Sequence, residues 1–383
     1  MKRIGLVIAC AAWLSGNVLG AADDPFADLN LETHGFVSFG YLKSWGNNWH
    51  GETLDGTDEF WEAASNVIAR PMDHLRLGAQ LFVRDLGVYG NGKVELDWAY
   101  ADWRQIDAFG VQIGRVKIPF GLFCESLDVD AGRTPVFLPA VYPTRAREIL
   151  LSTDGMKLYG TMGAFDWAMY GGQRQLENDG DFASYFAFLT GLTSVQSIEA
   201  DSLIGGMLHW YTPVDGLAAR VSLARLDDLE LTGARPGVTV DLRIPYYWGG
   251  MFSLIYEQGP LTLCAEYQRY YADNHLTFTS GLGTSQMVEE YRADGAYLSG
   301  TWQWRRWLSF YGAVEGTWED PTDRHGDDYV QSLIAAVCLL PTAHWSLKAE
   351  FRFNHGTLGV DPQLNTNVVD DWQVLALKTT VDF

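Results

Sequence analysis

The sequence predicts an all-β chain closed into a transmembrane antiparallel barrel of about sixteen strands. Three observations carry that prediction. Apolar and polar residues alternate with period two in segment after segment, which is the mark of a strand wet on one face only. The links between these segments alternate between short and long, as periplasmic turns and outer loops do in a membrane barrel. Finally, hydrophobic residues make up 47% and aromatic residues 14% of the 383-residue chain, yet no stretch beyond residue 22 approaches the ~20 apolar residues of a membrane helix.

The alternation is read most easily at the end of the chain, where Leu375, Leu377, Thr379, Val381 and Phe383 share one face of a strand and Lys378, Thr380 and Asp382 the other. A buried parallel strand would be apolar on both faces, so this one faces lipid outside and a wet lumen inside. Trp345, Leu347, Ala349, Phe351 and Phe353 alternate in the same way with Ser346, Lys348, Glu350, Arg352 and Asn354. Earlier, Val37, Phe39 and Tyr41 alternate with Ser38 and Gly40, the odd positions of 75–83 with Arg76, Gly78 and Gln80, and Val94, Leu96 and Trp98 with Glu95 and Asp97. Further strands are expected to start near Phe60, Val111, Gly155, Ala164, Ser202, Leu217, Trp248, Leu261, Ala293, Leu308 and Tyr329.

Short turns are expected at Pro71-Met72-Asp73, 105–110, 160–163, Pro213 to Gly216, 258–260, Arg305-Arg306 and Pro341 to Ala343. Long outer links are expected at 46–58, 86–92, 119–152, 173–201, 228–246, 273–290, 319–327 and 356–371. A soluble β-sandwich also shows short strands between turn signals, but nothing in its architecture requires the strict alternation of link length.

At the other end, Lys2-Arg3, the apolar run from Ile4 to Leu14 and the small residues Val18 to Ala22 read as a secretory signal peptide cleaved after Gly20 or Ala22. The mature barrel is then residues 23–383. A formal charge of −21 argues against nucleic acid, whose phosphates require a basic face; acidic outer links account for it. Cys124, Cys264 and Cys338 remain after cleavage, an odd number that makes no disulfide framework. No CxxC or HExxH spacing suggests a structural metal, and no cofactor is implied.

The longest link carries the most chemistry. The run Gly114-Arg115-Val116-Lys117-Ile118-Pro119-Phe120-Gly121, then Glu125, then Arg133 to Pro139, then Tyr142-Pro143-Thr144-Arg145, resembles the equivalent stretch of trimeric sixteen-stranded porins related to the phosphate-selective porins O and P and to the dicarboxylate-type porins. The resemblance implies that this third outer loop folds inward and narrows a channel, that the protein is a homotrimer, and that Phe383 is a terminal signal read by the barrel-assembly machinery. Its surroundings would be the lipopolysaccharide and phospholipid of a Gram-negative outer membrane. The closely spaced arginines of a dedicated phosphate filter are missing.

Candidate constriction residues are Arg115, Lys117, Arg133, Arg145 and Arg147 on one side and Glu125, Asp128 and Asp130 on the other, with Arg76, Arg84 and Arg352 pointing inward from the wall. Arg and Lys at a constriction favour anions, carboxylates favour cations. The competing role for each arginine is to clamp the loop to wall carboxylates such as Glu95 and Asp97. The expected function is passive diffusion of small hydrophilic solutes with a modest preference for anions, phosphate or organic acids. A secreted soluble β protein that binds or degrades glycans is the alternative. An enzyme is not expected: Asn354-His355-Gly356 at a strand end is the nearest approach to a catalytic group, with no nucleophile elbow beside it.

Overall fold

The structure, a computed structural model, describes residues 29–127, 129–130, 132–144, 147–174, 176–320, 328–361 and 364–383. The expected leader, Asp128 and Arg145 lie outside these residues. Sixteen strands follow one another in the chain: β1 (Glu32–Trp45), β2 (Phe60–Met72), β3 (Leu75–Leu86), β4 (Tyr89–Ile106), β5 (Phe109–Lys117), β6 (Ser152–Met162), β7 (Phe165–Gln173) and β8 (Ser194–Tyr211) form the first half. The second half is β9 (Leu217–Arg235), β10 (Val238–Gln258), β11 (Leu261–Ser280), β12 (Gly283–Arg305), β13 (Leu308–Glu319), β14 (Tyr329–Thr342), β15 (Trp345–Gly356) and β16 (Asp371–Asp382). Each pairs antiparallel with its neighbours in sequence, and β1 pairs with β16 from Phe36↔Asp382 to Trp45↔Gln373, so the sheet is a closed barrel. Closure leaves no edge, which is what a sheet needs where no water can satisfy its backbone.

The two faces of the wall differ as the alternation requires. On β16, Leu377 and Val381 are exposed whereas Lys378 and Thr380 are buried; on β15, Trp345 and Phe353 are exposed whereas Ser346, Lys348, Glu350 and Arg352 are buried. Exposed Leu, Val, Phe and Trp around the outside would make a soluble protein aggregate, and they suit a hydrocarbon band. No helix among the described residues is long and apolar enough to cross a membrane.

The short links fall where the turn residues placed them. Three of the expected long links do not exist as loops, however. Residues 86–92, 228–246 and 273–290 are mostly strand: β3–β4, β9–β10 and β11–β12 continue their ladders to turns at 87–88, 236–237 and 281–282. The physical reason is visible in β9–β10, where Leu229, Leu231, Val240, Leu242 and Ile244 keep alternating and are buried, so pairing goes on until Pro236-Gly237. Gly237 takes φ 77°, which a type II turn demands at that position.

Links 46–58 and 119–152 stand as expected, 173–201 ends earlier because β8 begins at Ser194, and most of 319–327 and part of 356–371 lie outside the described residues. Among the described residues, 118–151 contain a 3-10 turn, Cys124–Ser126, and a short helix α1 (Arg147–Leu151), and 174–193 contain helix α2 (Asp181–Thr190). Helix α2 was not foreseen.

Candidate functional site: the lumen beside residues 118–151

Segment 118–151 leaves the wall where β5 ends and is tied to inner-face side chains on strands far around the ring. Glu350 accepts the backbone N–H groups of Val136 (2.7 Å) and Phe137 (3.2 Å). Its other oxygen takes Arg352 Nε at 2.6 Å. Glu315 takes Arg352 from the opposite side at 2.9 Å and also the N–H of Ala140 at 2.9 Å. Glu266, on β11, accepts Tyr142 (2.5 Å), Tyr297 (2.8 Å), Ser253 (2.5 Å) and the N–H of Leu122 (2.9 Å). A carboxylate buried with three or four donors is satisfied, whereas the same group left unpaired would be costly.

Asp130 sits at the centre of a second tie. Lys378 reaches one carboxylate oxygen at 3.0 Å, Thr380 the other at 2.6 Å, and Lys348 approaches at 3.1 Å while donating to the Asp130 carbonyl at 2.7 Å. Lys378 is shared with Glu62 of β2 at 2.6 Å. Burial alone would raise the Asp130 carboxyl, but Lys378, Lys348 and Arg133 outweigh it and hold the group well below the usual carboxylate range. Arg133 lies only within 3.5 Å of Asp130 and 3.4 Å of the Leu127 carbonyl, and its Nε has no hydrogen-bond partner.

The other candidates are placed as follows. Arg147 makes a two-pronged pair with Asp97, both bonds 2.8 Å, which is the clamping role open to it in the sequence. Arg84 pairs with Asp181 at the start of α2 and donates to the Thr144 carbonyl at 3.1 Å. Arg352 points inward and is fully engaged by Glu350 and Glu315. Arg115 grips Asp154 of β6 at 2.7 and 2.9 Å. Lys117 donates to the Glu125 carbonyl at 3.0 Å, and Glu125 itself pairs with Lys157 at 2.9 Å. Arg76 meets Asp102 at 3.0 Å.

Sequence reasoning missed the wall carboxylates Glu62, Glu266, Glu315 and Glu350 as partners of the loop. A signal was there for Glu350, which alternates with Lys348 and Arg352 on one face of β15. It also missed the apolar filling. Ile118, Phe120, Val141 and Tyr142 form one buried cluster with inward residues of β7 to β12 and with Leu176 and Leu192, and Phe182 of α2 packs against it. Glu148 caps this helix by accepting the Phe182 N–H at 3.1 Å. Its carboxyl is raised by burial and, against that hydrogen bond, by nearby Asp181 and Glu95.

Two cavities flank the segment. One of about 790 Å³ opens at the short-turn end, among Asp73, Arg76, Asp102, Arg104, Lys157 and Glu125. The other, about 70 Å³, is lined by Arg84, Arg133, Arg147 and Lys378, by Glu62, and by Phe60 and Phe137. Its cations face the cavity, and Asp97, Asp130 and Asp181 are bonded to them but are not part of the lining.

A closed antiparallel barrel of sixteen strands is an arrangement found among solved structures. The chain has the porin fold. OmpT of Vibrio cholerae in its in-vitro folded trimer form superposes with a TM-score of 0.58 at 12% identity, covering 92% of this chain and 99% of that one. OmpF of Salmonella typhi in complex with daunomycin gives 0.59 at 11%, over 93% and 98%, and the anion-selective porin of Comamonas acidovorans 0.54 at 11%, over 92% and 99%. No family model and no curated protein matches the sequence. The OmpT neighbour is an outer membrane protein. At the end of β15, Asn354 accepts from Ser332 at 2.7 Å and His355 meets Asp371 at 2.8 Å.

Proposed function

We propose that the protein is a passive outer-membrane channel for small hydrophilic solutes, narrowed by segment 118–151, with a modest preference for anions such as phosphate or organic acids. Porins and channels as fold neighbours support the passive role. The observation that carries the sign of selectivity is the lining of the smaller cavity. Four cations, Arg84, Arg133, Arg147 and Lys378, and one carboxylate, Glu62, face it. Of the cations, Arg133 is the least neutralised, because Asp130 is already shared among Lys348, Lys378 and Thr380. Local charge, not the −21 total, sets ion preference, since loop carboxylates more than ~8 Å from the path are screened at physiological salt.

A homotrimer is part of the reading, supported by the trimer form of the OmpT neighbour. Reversal potentials in a planar bilayer under a salt gradient test the proposal. Anion preference is expected, reduced in Arg133→Ala; cation preference of the unaltered protein would overturn it.

A further inference from the structure

The short-turn rim of the barrel is acidic almost all the way round. Asp73, Asp107, Asp166, Asp215 and Glu257 stand at or beside the turns that join β2 to β3, β4 to β5, β6 to β7, β8 to β9 and β10 to β11. At the turn between β14 and β15, Asp382 meets His344 at 3.0 Å. Cations near these turns have acidic partners: Glu32 holds Arg70, and Arg104 lies 3.4 Å from Asp107. The turn between β12 and β13 differs. It reads Trp302-Gln303-Trp304-Arg305-Arg306-Trp307, every residue exposed, with two cations and no carboxylate. Among the described residues neither arginine has an ion pair, and Arg305 reaches only the Trp304 carbonyl, at 3.4 Å. In a chain of net charge −21, adjacent cations left without a carboxylate are a local reversal of sign.

The outward face changes character row by row as it approaches this turn. Leu298 and Val314 are register partners and exposed, aliphatic as a hydrocarbon band requires. Four residues nearer the turn on each strand, Trp302 faces Phe310, ring centroids 6.3 Å apart and 30° from parallel. Four residues of tilted strand lower the level by about 10 Å, and rings there suit the boundary between hydrocarbon and headgroups. At the turn itself the Arg305 guanidinium lies 4.9 Å from the Trp304 ring, a cation–π contact that holds the charge at the level of exposed indoles. Aromatic rings alone are expected around any membrane barrel. Phe165 and Trp210 supply them on β7 and β8, where the charge beside them is Asp166. Unpaired cations beneath the rings are peculiar to the β12–β13 turn.

We infer that this turn binds the headgroup of an anionic phospholipid in the periplasm-facing leaflet, with Arg305 and Arg306 on the phosphate and Trp302, Trp304, Trp307 and Phe310 against the glycerol and acyl region. The inference rests on the outer-membrane reading above. Charge complementarity names the occupant. Guanidinium groups donate paired N–H bonds to phosphate oxygens, and a lipid is the phosphate bearer that carries hydrocarbon behind its charge, in the same order as the rows of this wall. A zwitterionic headgroup brings its own ammonium, so two arginines favour it less. Free phosphate would leave the four rings without a role.

The test uses the full chain folded in mixed micelles that hold equal amounts of phosphatidylglycerol and phosphatidylcholine, with the lipids that co-purify counted by mass spectrometry. Phosphatidylglycerol is expected to be retained in preference. At about fivefold per arginine, Arg305→Gln with Arg306→Gln should lower that preference roughly 25-fold. Arg305→Lys with Arg306→Lys should keep most of it, and Arg70→Gln, where Glu32 already neutralises the charge, should leave it unchanged. Heat-modifiability reports that each variant has folded. A readout that needs no variant is salt, which should erode the preference of the unaltered barrel. Equal retention of both lipids, a preference indifferent to salt, or one that survives the double glutamine variant overturns the inference. So does capture of a soluble peptidoglycan fragment that the double variant loses while its lipid retention stays the same, since the turn would then serve a periplasmic partner. Recovery of the protein without detergent would instead defeat the outer-membrane reading on which the inference rests.

Discussion

Replacing Asp130 by alanine perturbs the lumen in a way whose size can be worked out. Glu62 and Asp130 face Lys348, Lys378 and Arg133, so the group carries one net positive charge, and Asp130→Ala makes it two. A unit charge about 6 Å from an ion in a water-filled path changes its energy by ~0.7 kcal/mol at ε ≈ 80. The shift is of opposite sign for cation and anion, so their difference moves by about 1.4 kcal/mol, roughly tenfold in permeability ratio. The substitution also leaves Lys348 buried without its partner carboxylate, at a cost of about 3–5 kcal/mol, which should loosen segment 118–151 and raise conductance. Single-channel recording under a salt gradient reads both effects. A permeability ratio within twofold of the unaltered protein would show that this cluster does not face the ion path, and the electrostatic account of selectivity would fail.

Glu350→Ala should release the Val136 and Phe137 amides and unbalance Arg352, weakening the docked segment by about 3–5 kcal/mol and giving larger, noisier currents; unaltered conductance and thermal stability would count against the clamp. Glu148 predicts a pH effect of definite sign. Because its carboxyl is raised in the docked state, docking of α2 strengthens as pH falls through that raised value and levels off below the free value of ~4.3. Asp130 has the opposite sign, but it titrates below this window. Protection from hydrogen exchange at the start of α2, taken relative to the intrinsic rate at each pH, should rise on mild acidification and lose that dependence in Glu148→Gln; identical protection profiles for both proteins would refute the assignment. Removal of Phe383 deletes two backbone bonds of 3.0 Å with Gly35, together about 2 kcal/mol, too little to open a finished barrel. Its effect should therefore appear as reduced abundance in the outer membrane, with normal abundance arguing against an assembly role.

The barrel was legible because its determinant is local. A strand such as Trp345 to Phe353 declares its two faces residue by residue, and Pro341-Thr342-Ala343 marks the turn before it. The same locality explains the errors. Residues 228–246 and 273–290 are rich in Asp, Glu, Thr and Gly and read as loops, yet long ladders with the neighbouring strand hold them extended, and that partnership is not local. The lumen was harder still. Asp97 could be named as a clamp for a loop arginine, because it had been placed on the wall, but not which arginine it holds. Glu315 and Glu266 could not, since which part of a 34-residue link meets which strand across the ring depends on how that link folds. Helix α2 is short, and without the apolar cluster it enters it would have little reason to be helical.

The seam between β1 and β16 joins residues at opposite ends of the sequence, as the Ser38–Thr380 hydroxyl contact shows at a separation of 342 positions. Strand β16 emerges from synthesis after the other fifteen, so for all of that time the chain owns two unpaired edges and no ring. Open edges of this length are templates for any strand that meets them, and contacts so remote in sequence form slowly. The finished barrel has no edge to protect, but the growing one has nothing else. Its hazard is one of timing, and protection during that interval must come from outside the chain.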